Sequence, residues 1–395
     1  MFFTQQSADQ FGAGDRSPYG DFWFKPIGFG LDGRSVSKND AMRLSAVYRA
    51  VSLVSGHMGF LPIRFFKRGT FEPILNHPIE RLLNRQPNRF QNAFEWREML
   101  QGHIELRGNC FNEIISDRRG NITDLLPRHP DKVRPIILPD GSDYYYQHTD
   151  AGETRKISRQ NMWHIRGLSD NGIMGLSVLD YAQQAVQLGL SAQQYGVRFY
   201  QNDGRPTSGW VEFPGKYKDS AQRKMVRDSL QEAQSGANAG KLLMLDQGMK
   251  YHQVGITNDN AQFLETRQYQ VTDIARFFGI PASKLGDLSR ATFANIESEQ
   301  RSYIDDALIV RAARWEAAIE CYLLFADEEI DVEFDFEELL RGDGKSRADA
   351  DHLRIQNGIM TRNEVRRRER LPPLDGLDKP LFPLNMGVVG EEKKD

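Results

Sequence analysis

Apolar positions in this chain recur with a helical period, then with a strand-like one, then with a helical one again. Leu44, Val47, Tyr48, Val51 and Val54 fall on one helical stripe, and Trp96, Met99, Leu100, His103 and Ile104 on a second. From Cys110 to about Ile165 the pattern breaks into short apolar runs separated by "DRRGN", "PDGSD" and "DAGE". Those are hairpin turn signals, so an antiparallel meander is expected there. Residues 1 to about 40 are rich in Gly, Ser and Asp without a period, and read as a loose arm.

A long helix is expected from Ser177 to about Tyr200. Ala182, Ala185, Gly189, Ala192 and Gly196 alternate by three and four, which collects the small side chains on one stripe. Small residues permit close backbone approach. Between Asp180 and Arg198 this helix carries no charge. Two readings fit it: a helix buried within a larger domain, or a helix packed between subunits.

An insertion follows from about Arg205 to Ile256, with strands expected at "SGWVEF", "KLLML" and "MKYHQVG" and a helix over 220–234. It holds eight Lys or Arg against five Asp or Glu. The chain returns through a helix opened by Asn258 or Asp259, with Leu264, Val271, Ile274 and Phe278 as its stripe, stopped at Pro281. A further helix is expected from about Phe293 to Phe325, with Ile296, Ile304, Leu308, Trp315, Ile319 and Leu323 on one side. An acidic stretch and two short helices end the chain, the last opened by a capping box, Thr361 with Glu364.

Composition narrows the function. The 395 residues hold 51 basic and 54 acidic side chains, a balance unlike that of tight nucleic-acid binders. Cys110 and Cys321 form no disulfide framework, so a reducing compartment is expected. The N-terminus reads as no signal peptide, and the most apolar segment, "VSLVSGHMGFLPI", is too short to span a membrane. Signatures for nucleotide-binding loops, zinc proteases and serine hydrolases are absent, and the eight histidines lie at no metal-ligand spacing. No cofactor or metal is therefore expected.

Two pieces of chemistry compete with a non-enzymatic reading. On a strand, Asp331, Glu333 and Asp335 would share one face, and three carboxylates can hold Mg²⁺ for a DNA-processing nuclease. A solvated strand face, with Val332, Phe334 and Phe336 inward, explains the pattern equally. The C-terminal pair, with Arg366, Arg367, Arg368 and Arg370, has the outline of a helix-turn-helix. Its arginines spread around the helix axis, as in a structural hairpin.

Several motifs in order resemble the portal proteins of tailed bacteriophages, in the lambda-like long-tailed branch. They are "HPIERLLNRQPN", "LRGNCFNEIISDRRGNITDLLP", "HIRGLSDNGIMGLSVL", "RFYQNDGRPTSG", "IARFFGIPASKLGD" with "ATFANIE", and "LLRGDGKSRADADHLRIQNGIMTRNEVRRRERLPPLDG". The resemblance runs from about Ala46 to Asn385. Departures are small: Cys110 and Phe111 stand where the family more often has Ala and Tyr, and "GLDKP" replaces a usual Gly-Gly-Asp. "NDGRPTSG" is one residue longer than the common form, which blurs the insertion boundary.

The first forty residues, the flexible arm (1–40), and the last ten match nothing in the family; the resemblance implies an α+β portal fold with a wing of helices and antiparallel strands (41–175), a first stem helix (176–204), a small α/β clip (205–257) and a second stem helix (258–280). A tunnel loop (281–292), a long helix with a wing return strand (293–338), and a helical crown with a tail (339–395) would follow. It implies a twelve-copy homo-oligomeric ring in the virion, at one capsid vertex, assembled in the host cytoplasm. Double-stranded DNA would pass through without sequence specificity. Partners would be the terminase large subunit, head–tail connector or adaptor proteins, and the major capsid or scaffolding protein.

In that frame Lys284, Ser289, Arg290 and Thr292 would face DNA from the tunnel loop, and Lys216, Lys218, Arg223, Lys224 and Arg227 would form the clip's docking surface. Twelve helices about 10 Å wide enclose a bore of roughly 28 Å, wider than a duplex, so inward loops are needed to narrow it. The small-residue stripe would pack a stem helix on its partner or on a neighbouring subunit. A Gly189→Leu change would then disturb the ring more than the subunit.

Overall fold

The computed structural model describes residues 37–201, 209–212, 214, 224, 227–228, 250–253, 260–288, 293–325, 328–336, 339, 344–369 and 371–381. Two compact units divide at Phe334 and Asp335.

The first unit opens with a short helix, α1 (Lys38–Ala41), capped by the Ser37 hydroxyl, and continues into α2 (Ser45–Phe60). Strand β1 (Ile63–Lys67) and helix α3 (Pro78–Asn84) lead to α4 (Ala93–Arg107). Helix α4 starts at a capping box made by Asn92 and Glu95 and ends at Gly108, whose φ of 73° only glycine adopts cheaply. The two expected stripes face inward: Val47, Val51, Val54, Trp96, Leu100 and Ile104 are buried, while Tyr48 points outward.

The meander forms two three-stranded antiparallel sheets. One orders as β3 (Ile122–Arg128), β2 (Asn109–Ser116), β7 (Met162–Arg166), and the other as β4 (Val133–Ile137), β5 (Tyr144–Asp150), β6 (Glu153–Ser158). The three turn signals lie where expected. Gly120, Gly141 and the Ala151–Gly152 pair take positive φ there.

Next come α5 (Val178–Tyr181) and α6 (Gln183–Gln201). The predicted single helix is thus interrupted at Ala182, though the Ala182 N–H still bonds Val178 and its carbonyl still accepts from Val186. Within the insertion β8 (Gly209–Glu212) pairs with β9 (Lys250–Gln253). The expected "KLLML" strand and most of the 220–234 helix lie outside the described residues; Lys224, Arg227 and Asp228 are helical.

Helix α7 (Asn260–Phe278) does not stop at the proline. Gly279, at φ 64°, ends it: the Gly279 N–H bonds the Arg276 carbonyl and the Ile280 N–H bonds the Ala275 carbonyl, a Schellman motif, with Pro281 beyond it. The predicted 293–325 helix is continuous but not uniform. It runs as α8 (Phe293–Ser302), a π-helical turn (Tyr303–Leu308) and α9 (Ile309–Tyr322).

Strand β10 (Ile330–Phe334) then pairs antiparallel with β1, joining the end of the first unit to its beginning. In the second unit α10 (Gly344–Gln356) precedes α11 (Arg362–Arg368), which has the expected Thr361–Glu364 capping box.

The core of the first unit is built around three tryptophans from distant segments. Trp96 on α4, Trp163 on β7 and Trp315 on α9 are all fully buried, with ring centroids 5.7–6.1 Å apart. Each indole N–H is satisfied, by Asn112 Oδ1 at 3.1 Å, the Ala318 carbonyl at 3.2 Å and Gln101 Oε1 at 2.8 Å respectively. Gln101 donates in turn to Glu105 at 2.7 Å, and Glu105 takes a two-pronged hydrogen bond from Arg311 at 2.6 and 3.0 Å. A buried polar chain therefore runs beside the apolar core.

Burial also holds three histidines neutral. His103 is lowered to about 4 by burial first, then by His129 and Arg107, and both His57 and His164 are lowered mainly by burial. As pH falls through the ordinary histidine range the unfolded chain takes up protons that the folded chain refuses, so stability drops. The expected loss from His103 between pH 6.5 and 4 is about 2–3 kcal/mol, checked by urea midpoints across that range. His103→Gln should flatten the slope.

Candidate functional site

Helices α6 and α7 lie against each other, and the small-residue stripe marks the inner face of α6. Ala182, Gly189 and Gly196 are buried, and Ala185 and Ala192 are half-buried. A Cβ on Gly189 would stand 3.0 Å from Leu44 Cδ2 and 3.7 Å from Gln270 Oε1, both of the same chain. At Gly189 α6 is thus seated on α7 and on the residue that opens α2. Gly189→Leu would drive into Leu44, so it strikes the subunit's own packing. The expected cost is about 1–3 kcal/mol of subunit stability, read from the denaturation midpoint.

The chain reaches α5 and α6 through a glycine crossing. The Gly167 N–H bonds the Gly108 carbonyl at 2.7 Å, and a Cβ on Gly175 would fall 2.0 Å from that same oxygen. Asn109 locks the crossing: its amide donates to the Arg107 and Gly175 carbonyls at 2.9 and 2.8 Å, and its Oδ1 accepts from the Gly175 N–H at 2.7 Å. Ser177, which caps α5, also donates to the Leu106 carbonyl at 2.9 Å. The "LRGN" and "GIMGLS" motifs, nearly seventy residues apart in sequence, meet here. Their spacing in sequence gives no sign of it, since close backbone approach needs only glycine.

Beyond the Schellman cap, Ala282–Leu285 form a 3-10 turn closed by Gly286 at φ 94°. The turn is tied down on three sides. Ser283 hydrogen-bonds Glu299, Thr272 donates to Asp287 at 3.4 Å, and the Lys284 carbonyl accepts from Arg49 at 3.4 Å. Lys284 is half-buried, its ammonium 5.7 Å from the centre of the Tyr303 ring. Tyr303 opens the π turn, and its hydroxyl sits 2.8 Å from His57 Nδ1. Lys284 and Arg49 add to the burial that keeps His57 neutral. Lys284 is therefore engaged with its own chain, while Gly286 and Leu288 are exposed; Ser289, Arg290 and Thr292 lie outside the described residues.

Of the five basic residues expected on the insertion, Lys224 and Arg227 are exposed, with Arg227 bonded to Asp228 at 3.1 Å. Lys216, Lys218 and Arg223 lie outside the described residues. On β8 and β9, Glu212 and His252 face each other at 2.7 Å.

Val332 and Phe334 point inward, and Asp331 is bound to Arg68 at 2.7 Å. Among the described residues no three His, Cys, Asp or Glu side chains gather as a metal site. In the second unit three of the four arginines expected to contact phosphates have partners in their own chain: Arg366 on the Pro372 carbonyl at 2.9 Å, Arg368 on Asp351 at 3.1 Å, and exposed Arg367 near Asp378 at 3.7 Å; Arg370 lies outside the described residues. Buried Asn363 pins the following segment by exchanging hydrogen bonds with the Leu374 backbone at 2.8 and 2.9 Å. This is a self-contained helical hairpin.

Residues 45–369 match the model of the phage portal protein family. The chain belongs to that family. It is 27% identical over 356 residues to the portal protein of Enterobacteria phage HK97, covering 88% of this chain and 83% of that one. Its fold matches a solved HK97-family phage portal protein from Corynebacterium diphtheriae with a TM-score of 0.61, 16% identity, and coverage of 78% of this chain and 98% of the other. It also matches a chain in the neck of a native GTA particle computed with C12 symmetry, with a TM-score of 0.55, 21% identity, and coverage of 85% and 94%. This portal protein is thus a structural component of a phage virion, with the mixed helix and antiparallel-sheet architecture of its family.

Proposed function

We propose that the chain is the subunit of a twelve-copy ring at one capsid vertex, through which double-stranded DNA enters during packaging and leaves at ejection. The observation that carries this is the order helix, insertion, helix. Helices α6 and α7 pack together, and strands β8 and β9, which lie between them in sequence, pair with each other. A conduit needs such a paired wall and a separate module for exchangeable partners.

In this reading the insertion carries the docking surface, Lys216, Lys218, Arg223, Lys224 and Arg227, for the terminase large subunit and afterwards for connector or adaptor proteins. Capsid or scaffolding protein would hold the outer part of the ring, and assembly would take place in the host cytoplasm. The segment after Gly286, with Ser289, Arg290 and Thr292, meets the DNA, and Lys284 anchors that segment to Tyr303. Translocation work comes from the terminase, since the sequence has no nucleotide-binding loop. Near-neutral charge suits a wall along which DNA slides, because each neutralised phosphate adds salt-dependent affinity.

The test is nuclease-protected DNA in particles assembled with this chain and its cognate terminase. Full protection is expected with the natural sequence. Reversing the five basic charges to Glu should abolish both terminase capture and protection. Protection unchanged in that variant would remove the docking role, and protection without the chain would remove the conduit.

A further inference from the structure

The tetrapeptide Asn-Gly-Ile-Met occurs twice in the chain, at 171–174 and at 357–360, and these hold its two Asn-Gly pairs. In both copies the glycine turns the backbone at the same φ of 71°. Asn-Gly has a reactivity of its own, because glycine has no side chain to keep its nitrogen from the asparagine carboxamide. That nitrogen attacks the carboxamide carbon. A new C–N bond forms, the bond to the side-chain nitrogen breaks, and ammonia leaves with the proton of the glycine N–H. The cyclic imide left behind takes up water and opens to aspartate or to isoaspartate, whose main chain is one methylene longer.

The first copy is locked. Asn171 Oδ1 accepts from the Ile173 and Met174 N–H groups, both at 2.9 Å, and the Gly172 N–H donates to Ser169 Oγ at 3.0 Å. Ser169 donates onward to the Met174 carbonyl at 2.5 Å, and Met174 packs on the buried cluster that holds Phe111 and Tyr146. Asn171 must break this set before its carboxamide can swing onto the Gly172 nitrogen.

The second copy is open. It forms the turn between α10 and α11, where Asn357 is exposed and its side chain makes no hydrogen bond among the described residues. Ile359 beside it is 70% exposed, so water and base reach the turn freely. Main-chain bonds hold this turn: the Gly358 N–H donates to the Ile355 carbonyl at 3.2 Å, and the Ile359 N–H to the Arg354 carbonyl at 2.9 Å.

We infer that Asn357 is a site of self-modification, at which the Gly358 nitrogen expels the side-chain amide and leaves an acidic residue in the α10–α11 turn. The new carboxylate stands at the C-terminal end of α10, the negative end of the helix dipole, and weakens that end. The isoaspartate form also lengthens the main chain between the Arg354 and Ile355 carbonyls and the N–H groups they accept.

Peptide mapping by mass spectrometry of the full-length protein, aged at mildly alkaline pH, tests it. Trypsin releases the two copies separately, in Gly167–Arg198 and Ile355–Arg362. In the folded protein Asn357 should convert faster than Asn171 by on the order of tenfold or more, because Asn171 reacts only after local opening. In guanidinium chloride the two should convert at similar rates, because the tetrapeptide is the same. Equal rates in the folded protein, or a faster Asn171, would overturn the inference. So would an Asn357 that stays unchanged while the unfolded chain converts.

Hydrogen exchange reads the consequence. Exchange at Gly358, Ile359 and Met360 should speed up in the aged protein and stay constant in Asn357→Gln aged alike. Unchanged exchange after full conversion would contradict the loosening of the turn.

Discussion

Replacing Glu105 by alanine is expected to destabilise the subunit by about 3–5 kcal/mol, because it strands a buried charge. The Glu105 and Arg311 side chains are only 4% and 13% exposed. Burial opposes the charge on Arg311, and the Glu105 carboxylate outweighs that penalty, so the guanidinium is held above its ordinary pKa. Arg311 also donates at 2.9 Å to the Phe278 carbonyl, at the end of α7, and to the Ala307 carbonyl inside the π turn.

One ion pair therefore ties α4, α7 and the π turn to α9. Its loss should loosen the end of α7 and the Pro281–Leu288 turn together. Urea denaturation of the variant should show the lower midpoint, and hydrogen exchange should show the faster opening at Ala275–Leu285. A Glu105→Ala variant within about 1 kcal/mol of the natural protein would mean the pair is not buried as described.

Trp315→Ala is expected to cost a similar amount, about 3–5 kcal/mol, for a different reason. Its ring stands edge-on to Trp96, Trp163 and Phe334, with centroids 6.1, 5.7 and 6.3 Å away, so truncation opens a cavity where α4, β7, α9 and β10 meet. Trp315→Phe separates packing from hydrogen bonding. It keeps most of the ring but leaves Gln101 Oε1 without its donor, and should cost only about 1–3 kcal/mol. Since Gln101 links Trp315 to Glu105, the alanine changes should not add when combined. Additive midpoints would show that the polar chain does not act as one unit.

Most of the elements were legible because burial writes itself into spacing. The stripes of α2, α4, α7 and α9, the glycine-marked turns of the meander and the capping box of α11 all follow local rules. What the sequence hid was partner choice. The stripe Ala182–Gly196 announces close approach but not the approaching group, which at Gly189 is Leu44 and Gln270 of the same chain. Pro281 is the obvious stop signal for α7 in the sequence, yet Gly279 two residues earlier supplies the left-handed cap.

The resemblance puts Lys284 among the DNA-facing loop residues, and nothing near it in sequence foretells Tyr303, Arg49 and His57 gathering around it. The π turn left no mark either, since Tyr303–Leu308 keeps Ile304 and Leu308 at ordinary helical spacing. The Asn109 lock could have been suspected only from a polar residue placed directly after a helix-ending glycine.

We propose that this portal subunit closes into a ring around a channel. Native mass spectrometry of the purified protein, with negative-stain images of the same sample, tests it most directly. One particle of about twelve subunit masses with a central hole is expected, formed by the protein alone or once scaffold or capsid protein is supplied. A subunit that stays monomeric or dimeric under both conditions would contradict it.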